Sequence, residues 1–430
     1  MLALLVCVLL VGLMLIGIPV CIVMGVTSGG VFAALGQGQY MAVMAQRIYA
    51  GTTGFTLLAI PFFILAGNLM NTGGITDKIF GFAKAICGHW PGGLGQVNVI
   101  SSLVFSGMSG AAVADAAGLG VIEIKAMDDA GFDRTFSAGI TAASSTIGPV
   151  VPPSIPFVVY SSVVGTVSVS RLFMAGFIPG FMMALAMMVA VYVISKKRNY
   201  PVEPKMKWAD RWKYFVDAIP SLMTVVIIIG GIWGGVFTAT EAAVVASFYA
   251  LFLGTIVYKE IKVKDLVNII YDSMVQSCKT LFIIAIANFL AYFLMHQRIP
   301  NKIINGLLNI TSNRVILILL IILVLLLLGC FIEGTAVILI CTPIFLPIIK
   351  QIGMDLTQFG VIMVLASMIG LLTPPVGMSL YAVSSITDVS LVDLSKAVLP
   401  YLIGIFIVLL LCAFYPPIST FLPNYFIGGA

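Results

Sequence analysis

The chain has 430 residues, 60% hydrophobic and 9% charged, with a mean hydropathy of +1.14. Soluble domains carry about 25% charged residues, so the composition excludes a soluble globular protein and points to an integral membrane protein with little mass outside the bilayer. The net charge of +5 lies at the ends of apolar runs, where it reports topology and not nucleic-acid binding, and the seven cysteines form no CxxC pair and read as small hydrophobes.

A spanning helix needs roughly 20 apolar residues. The N-terminus is apolar from the start, with no basic n-region, so 1–25 is read as a retained first span and not as a signal peptide. Further spans are predicted at 28–46, 52–71, 171–195, 214–237, 239–258, 276–295, 314–328 and 398–415. Two more, 134–166 and 357–388, are long apolar runs interrupted by Pro-Pro pairs and are predicted to be broken helices. Residues 92–127 read as a re-entrant hairpin turning at SGMSGAA. Residues 329–350 read as part of a second hairpin, with 314–328 as its first arm. The stretches 75–88 and 262–275 alternate charge with apolar residues and are expected along the membrane interface. The longest polar stretch, 196–213, holds seven basic residues and is assigned to the cytoplasm, which places the N-terminus outside.

A shift of 222 residues brings identities into register. Gly107 meets Gly329, Gly131 meets Gly353, Asp133 meets Asp355, Ser145 meets Ser367, Gly148 meets Gly370, Pro152 and Pro153 meet Pro374 and Pro375, and Ser168 meets Ser390. With an odd number of crossings before the basic linker, the halves run in opposite directions. The predicted fold is therefore an all-α polytopic membrane protein built as an inverted repeat with two re-entrant hairpins and two broken helices. The first repeat is 1–195, with scaffold spans in 1–71 and a hairpin and broken helix in 92–166. The cytoplasmic linker is 196–213. The second repeat is 214–430, with scaffold spans in 214–295 and a hairpin and broken helix in 314–388.

A helix break at membrane depth frees backbone carbonyls, which are tolerated only where protein or a polar cavity satisfies them. Carbonyls beside hydroxyls suit a small hard cation. Two Na⁺ sites are predicted, one from Ser106, Ser109, Gly148, Val151 and Pro152, the other from Gly329, Gly370, Thr373 and Val376. An anionic substrate is expected between the hairpin tips, at half-helix N-termini, with Ser154, Thr335 and Ser379 as contacts. Glu333 is an intramembrane carboxylate, open to binding a cation, orienting a sugar hydroxyl, carrying a proton or simply pairing at the outer mouth. Asp115 is read as a capping or paired carboxylate, and Asp388 as the cap of the second broken helix. Residues 107–110, Gly-Met-Ser-Gly, also admit an intramembrane serine protease, whose base would have to be His89 or His296. That reading leaves the duplication unexplained. No phosphate-cradling loop with a lysine is present.

The stretch 106–180, with LLAIPFFILAGNLM at 57–70, VFTATEAAVVASFYA at 236–250 and IGLLTPPVG at 369–377, closely resembles the large membrane subunit (DctM type) of TRAP transporters. The resemblance covers nearly the whole chain. It implies an elevator-type ion transporter fold and the translocating subunit of a bacterial inner-membrane, Na⁺-coupled importer. It further implies a small four-span membrane subunit and a periplasmic substrate-binding protein as partners. The substrates implied are organic acids: C4-dicarboxylates, sialic acid or other sugar acids. With no four-span block before residue 1, the unfused form is expected. The nearest alternative is a stand-alone Na⁺/dicarboxylate carrier of related fold. In the elevator scheme, hairpins and broken helices form a mobile domain against the remaining spans.

Overall fold

A computed structural model describes residues 2–311 and 313–428, apart from the side chains at 3, 4, 106–109, 304, 305 and 307–310. All regular structure among the described residues is helical. The chain begins with α1 (Leu2–Leu15), α2 (Val20–Ala34), α3 (Met41–Ala50), α4 (Ala59–Thr72) and α5 (Ile75–Cys87). The first hairpin is α6 (Gly93–Ser109), α7 (Ala112–Ala117) and α8 (Leu119–Asp129), and the first broken helix is α9 (Arg134–Ser144) and α10 (Ile155–Val164). Four long helices follow: α11 (Val169–Arg198), α12 (Trp208–Trp233), α13 (Ala239–Phe252) and α14 (Val263–His296). After α15 (Ile299–Ile310) comes the second hairpin, α16 (Arg314–Gly329) and α17 (Gly334–Gln351). The second broken helix is α18 (Leu356–Leu371) and α19 (Met378–Thr387), and the chain closes with α20 (Leu391–Phe414) and α21 (Pro417–Ile427). Among the described residues, seven helical stretches are long and apolar enough to cross a membrane: 55–72, 169–198, 208–233, 239–257, 263–296, 334–351 and 391–414.

Several expected boundaries are corrected. The spans 1–25 and 28–46 are not single helices. Gly17 takes a left-handed conformation and Pro19 caps α2, so the chain turns at 16–19 instead of near 26. Pro19 lacks an amide hydrogen, which suits the start of a helix and stops the previous one. The interfacial stretch 262–275 is continuous with the span after it. Together they form the 34-residue α14, about 51 Å long at 1.5 Å per residue, which overshoots the bilayer core at its polar end. Helix reaches into both ends of the 196–213 linker, with α11 running to Arg198 and α12 starting at Trp208. The linker is strapped down as well. Lys84 pairs with Glu203 at 2.9 Å, Arg198 with Asp133 at 3.1 Å, and the Glu203 amide donates to the Gly88 carbonyl.

The residues matched by the 222 shift perform the same local tasks. Gly131 and Gly353 both have positive φ. Asp133 and Asp355 then cap α9 and α18 by accepting from the Thr135 and Thr357 amides. Ser168 and Ser390 cap α11 and α20 in the same way. Each cap satisfies an amide that the helix start would leave orphaned.

The two halves interlock. The first arms touch both halves: α9 packs on α6 and α8 and also on α20 and α19, and α18 packs on α16, α17 and α20 and also on α11. The second arms cross over, so that α10 packs on α17 and α19 on α7. This exchange brings both hairpin tips and both breaks to one region. The helices α4, α12, α13 and α14 form a second group, in which α4 packs on both α13 and α14.

Candidate functional site

The first break comprises residues 148–154 between α9 and α10, preceded by a 3₁₀ turn at Ser145–Ile147. Pro149, Pro152 and Pro153 supply no amide hydrogens, and Ser154 restarts the helix by accepting from the Phe157 amide at 3.3 Å. The Ser154 hydroxyl also donates to the Pro149 carbonyl, which closes the break on itself. The hairpin tip meets this break directly. Gly110 has φ +66, and a Cβ there would lie 2.7 Å from the Pro153 carbonyl oxygen and 3.3 Å from Ser154 Cα. Glycine is required on both counts. Asp115, on α7, reaches the start of the break, and a Cβ on Gly148 would lie 2.5 Å from its Oδ2.

The second break, residues 372–377, is built alike. Gly329 ends α16 so close to Gly370 that a Cβ on it would stand 3.1 Å from Gly370 Cα. The Gly377 amide donates to the Cys330 carbonyl at 3.3 Å, tying the break to the hairpin turn. Thr373 donates its hydroxyl to the Ile369 carbonyl at 2.7 Å.

Between the tips lies a cavity of about 590 Å³. The first half contributes Gly110–Ala114, Pro149, Ile155 and Pro156, and the second half contributes Glu333, Gly334, Thr335, Met368, Leu371 and Met378. The remaining wall comes from Ile64 and from Gln276, Lys279, Thr280 and Ile283 of α14. Glu333 stands at the N-cap position of α17 and accepts from the Thr335 hydroxyl.

The expected site residues are distributed as follows. Glu333 and Thr335 line the cavity. Ser379 is buried beside lining residue Met378, and its hydroxyl has no hydrogen-bond partner among the described residues. Ser154 is fully buried and engaged in the cap. Gly148 and Pro152 lie in the first break; Val151 packs its side chain against Gly180 of α11. Gly329, Gly370 and Thr373 come together at the second break, with Val376 on its exposed outer turn. Ser106 and Ser109 carry side chains outside the described residues. Asp388 ends α19 in a left-handed conformation, its amide donating to the Ser384 carbonyl.

Two groups escaped the sequence reading. Lys279 lies beside Gln276, Ser277 and Thr280 at the start of the span predicted at 276–295; a charge within that span is the available signal. The other is a buried chain in the first half. Ser102 donates to Ser144 (3.0 Å), Ser144 to Asn98 Oδ1 (2.6 Å), and Asn98 Nδ2 to Glu123 Oε2 (2.6 Å) and to Thr141 (2.8 Å). Its members lie up to 46 residues apart, so only the packing of α6, α8 and α9 reveals it.

A cavity lined by both helical hairpins, both broken helices and α14, in a chain with several helices apolar enough to span a bilayer, is the architecture of a polytopic membrane protein. The comparisons assign it more closely. Residues 6–418 match the family model for the Tripartite ATP-independent periplasmic transporter, DctM component. The chain is 44% identical to the sialic acid TRAP transporter large permease protein SiaM of Vibrio cholerae, over 89% of this chain and 90% of that one. It is 35% identical to the C4-dicarboxylate TRAP transporter large permease protein DctM of Rhodobacter capsulatus, over 97% of both chains. Among solved structures, the Alcanivorax borkumensis YdaH transporter superposes with a TM-score of 0.65 at 14% identity, covering 93% of this chain and 98% of that one, a likeness of fold. The chain therefore belongs to the DctM family: it is a TRAP large permease, a multi-pass protein of the bacterial inner membrane and not an enzyme.

Proposed function

We propose that the protein is the translocating subunit of a Na⁺-coupled, binding-protein-dependent importer of an organic acid. The observation that carries this reading is the cavity between the two hairpin tips, where both halves supply matching breaks. The two halves, 1–195 and 214–430 about the linker 196–213, are inverted repeats in this reading. One Na⁺ binds where Asp115 faces the Gly148 break. The other binds where Gly329, Gly370 and Thr373 meet. Each ion offsets negative charge near the cavity, so Na⁺ and an anionic substrate favour each other's binding. The hairpins and broken helices move as one body against α4, α12, α13 and α14, carrying the loaded cavity across the membrane. A small four-span membrane subunit braces that scaffold, and a periplasmic binding protein delivers the substrate.

Reconstitution with both partners tests this. Uptake of an organic acid should require an inward Na⁺ gradient and the binding protein. Uptake that ignores Na⁺ removes the coupling, and full uptake without the binding protein makes the chain a stand-alone carrier. Thr373→Ala should raise the Na⁺ concentration for half-maximal uptake about tenfold, the effect of losing roughly one charge-assisted contact. An unchanged Na⁺ dependence removes Thr373 from the second site.

A further inference from the structure

The cavity between the hairpins has two charged residues in its wall, Glu333 and Lys279. They come from different elements. Glu333 stands at the N-terminus of α17 on the second hairpin, so its own carboxylate already occupies the positive end of that helix. This changes the expectation that half-helix N-termini hold the substrate's negative charge, because at this one the protein has placed an anion of its own. Lys279 faces the cavity from α14. It stands in the polar run 276–280, between the charged first part of α14 and its apolar end, and is exposed. No carboxylate lies within 4 Å of its Nζ among the described residues. Asp272, two turns earlier on the same helix, lines an adjoining cavity of about 340 Å³ that also touches Lys279, Asn68 and Asn71.

We infer that Lys279 holds the substrate's carboxylate while Glu333 accepts hydrogen bonds from its hydroxyl groups, so that the cavity selects a polyhydroxylated monocarboxylate over a C4-dicarboxylate. The inference rests on the organic-acid importer reading and names the substrate class of the same site. Its logic is charge balance. One cation and one anion in the wall are complemented by a ligand with one carboxylate and several donors. A second carboxylate reaches Glu333 and is repelled in a partly desolvated space. A site with a hydrogen-bonding carboxylate also rejects ligands that leave it unpaired. Size agrees: about 590 Å³ lies within the ~300–1,000 Å³ of sites that enclose ligands of drug size, and a four-carbon diacid leaves most of it to water.

The test is equilibrium binding to the purified complex of this chain with its small membrane subunit, in saturating Na⁺, using sialic acid, gluconate and succinate. The wild type should bind the two sugar acids at least tenfold more tightly than succinate. Lys279→Met should weaken sugar-acid binding at least tenfold, and Lys279→Arg should retain most of it. Glu333→Gln should shrink the preference over succinate at least fivefold. Ligand-free thermal midpoints confirm that each variant is folded, and Lys279→Gln replaces Lys279→Met if the latter does not assemble. Sugar-acid affinity unchanged in Lys279→Met, an unchanged preference in Glu333→Gln, or a wild type that favours succinate overturns the inference while leaving the importer intact. A complex that binds none of the three and shows no Na⁺-dependent organic-acid uptake overturns both.

Discussion

The two helix breaks share a plan and differ in burial. Every residue from Phe136 to Ser161 is buried, including the whole first break. At the second break, Pro374, Pro375 and Val376 are exposed. The helix that follows each break explains the contrast. Gly176 and Gly180 of α11 let the first break lie directly against that helix, Gly176 meeting Val150 and Phe157, Gly180 meeting Val151. The 222 shift carries these glycines to Val398 and Leu402 of α20, so the second half has larger side chains at the matching positions. The repeated motif therefore builds a backbone, and its neighbour decides whether that backbone is sealed. The same asymmetry appears in the polar chain. Asn98, Glu123, Thr141 and Ser144 correspond to Leu320, Phe345, Met363 and Ala366, so the first half carries a buried hydrogen-bonded network where the second is apolar.

This comparison can be broken at several points. The largest effect is expected for Gly176→Val, which drives a branched side chain into the Val150 carbonyl and the Phe157 ring. It should cost about 3 kcal/mol or abolish membrane yield, while Val398→Ala at the matching site should cost about 1 kcal/mol. Equal losses in thermal midpoint would show that α11 does not seal the first break.

Next is Asn98→Ala, which strips Glu123 of the amide donor to its Oε2 and Ser144 of its acceptor, both buried. A loss of about 2 kcal/mol is expected in thermal unfolding of the purified protein. A Gln at Glu123 accepts the same bond without the charge, so Glu123→Gln should be far milder; if it is as damaging as Asn98→Ala, the carboxylate's charge does more than hold the network.

Smaller again is the contrast between two serines at the start of the second arms. Ser154→Ala removes a helix cap and a bond to Pro149, and should destabilise by about 1 kcal/mol. Ser379→Ala removes a buried hydroxyl that has no hydrogen-bond partner among the described residues, and should leave stability unchanged or raise it slightly. If Ser379→Ala nevertheless weakens substrate binding, the hydroxyl is kept for the ligand.

The smallest effect lies at the linker. Partial desolvation, with Arg211 and Lys205 nearby, lowers the His89 pKa below its ordinary value, and Arg211 lies 3.2 Å from Nδ1, placed to donate to the neutral ring. The unfolded chain then binds more protons, so this contribution is full above the ordinary pKa of about 6.5 and fades as pH falls through that value. The thermal midpoint of Arg211→Gln should therefore drop slightly less than the wild type's between pH 7.5 and 5.5. A steeper drop in the variant reverses the sign and removes the contact.

Much of the architecture is local and was legible. Proline cannot donate to a helix, so the breaks at 148–154 and 372–377 follow from Pro149, Pro152, Pro153, Pro374 and Pro375. Caps such as Asp133 and Asp355 follow from the need to satisfy the first amides of a helix. The 222-residue register shows that the plan occurs twice, and the hairpin tip at Gly110 falls inside the stretch marked by its small residues. Hydrophobicity alone marks membrane residence but not segmentation: it ran α1 and α2 together past Gly17, and split α14 at residue 276 where polar residues share one helix with an apolar end.

What tertiary structure decided is everything that depends on distance across the sequence. The crossing of α10 onto α17 and of α19 onto α7 assembles one cavity from two halves. One cavity wall joins Lys279 and Glu333, residues 54 positions apart, from a helix and a hairpin that no periodicity relates. The burial of one break and the exposure of the other turn on whether glycine or a larger side chain stands on a neighbouring helix. Local chemistry acts through the backbone over a few residues and can be read along the chain. Packing depends on the volumes of side chains that meet only after folding, and for that reason the same motif, written twice, yields two different environments.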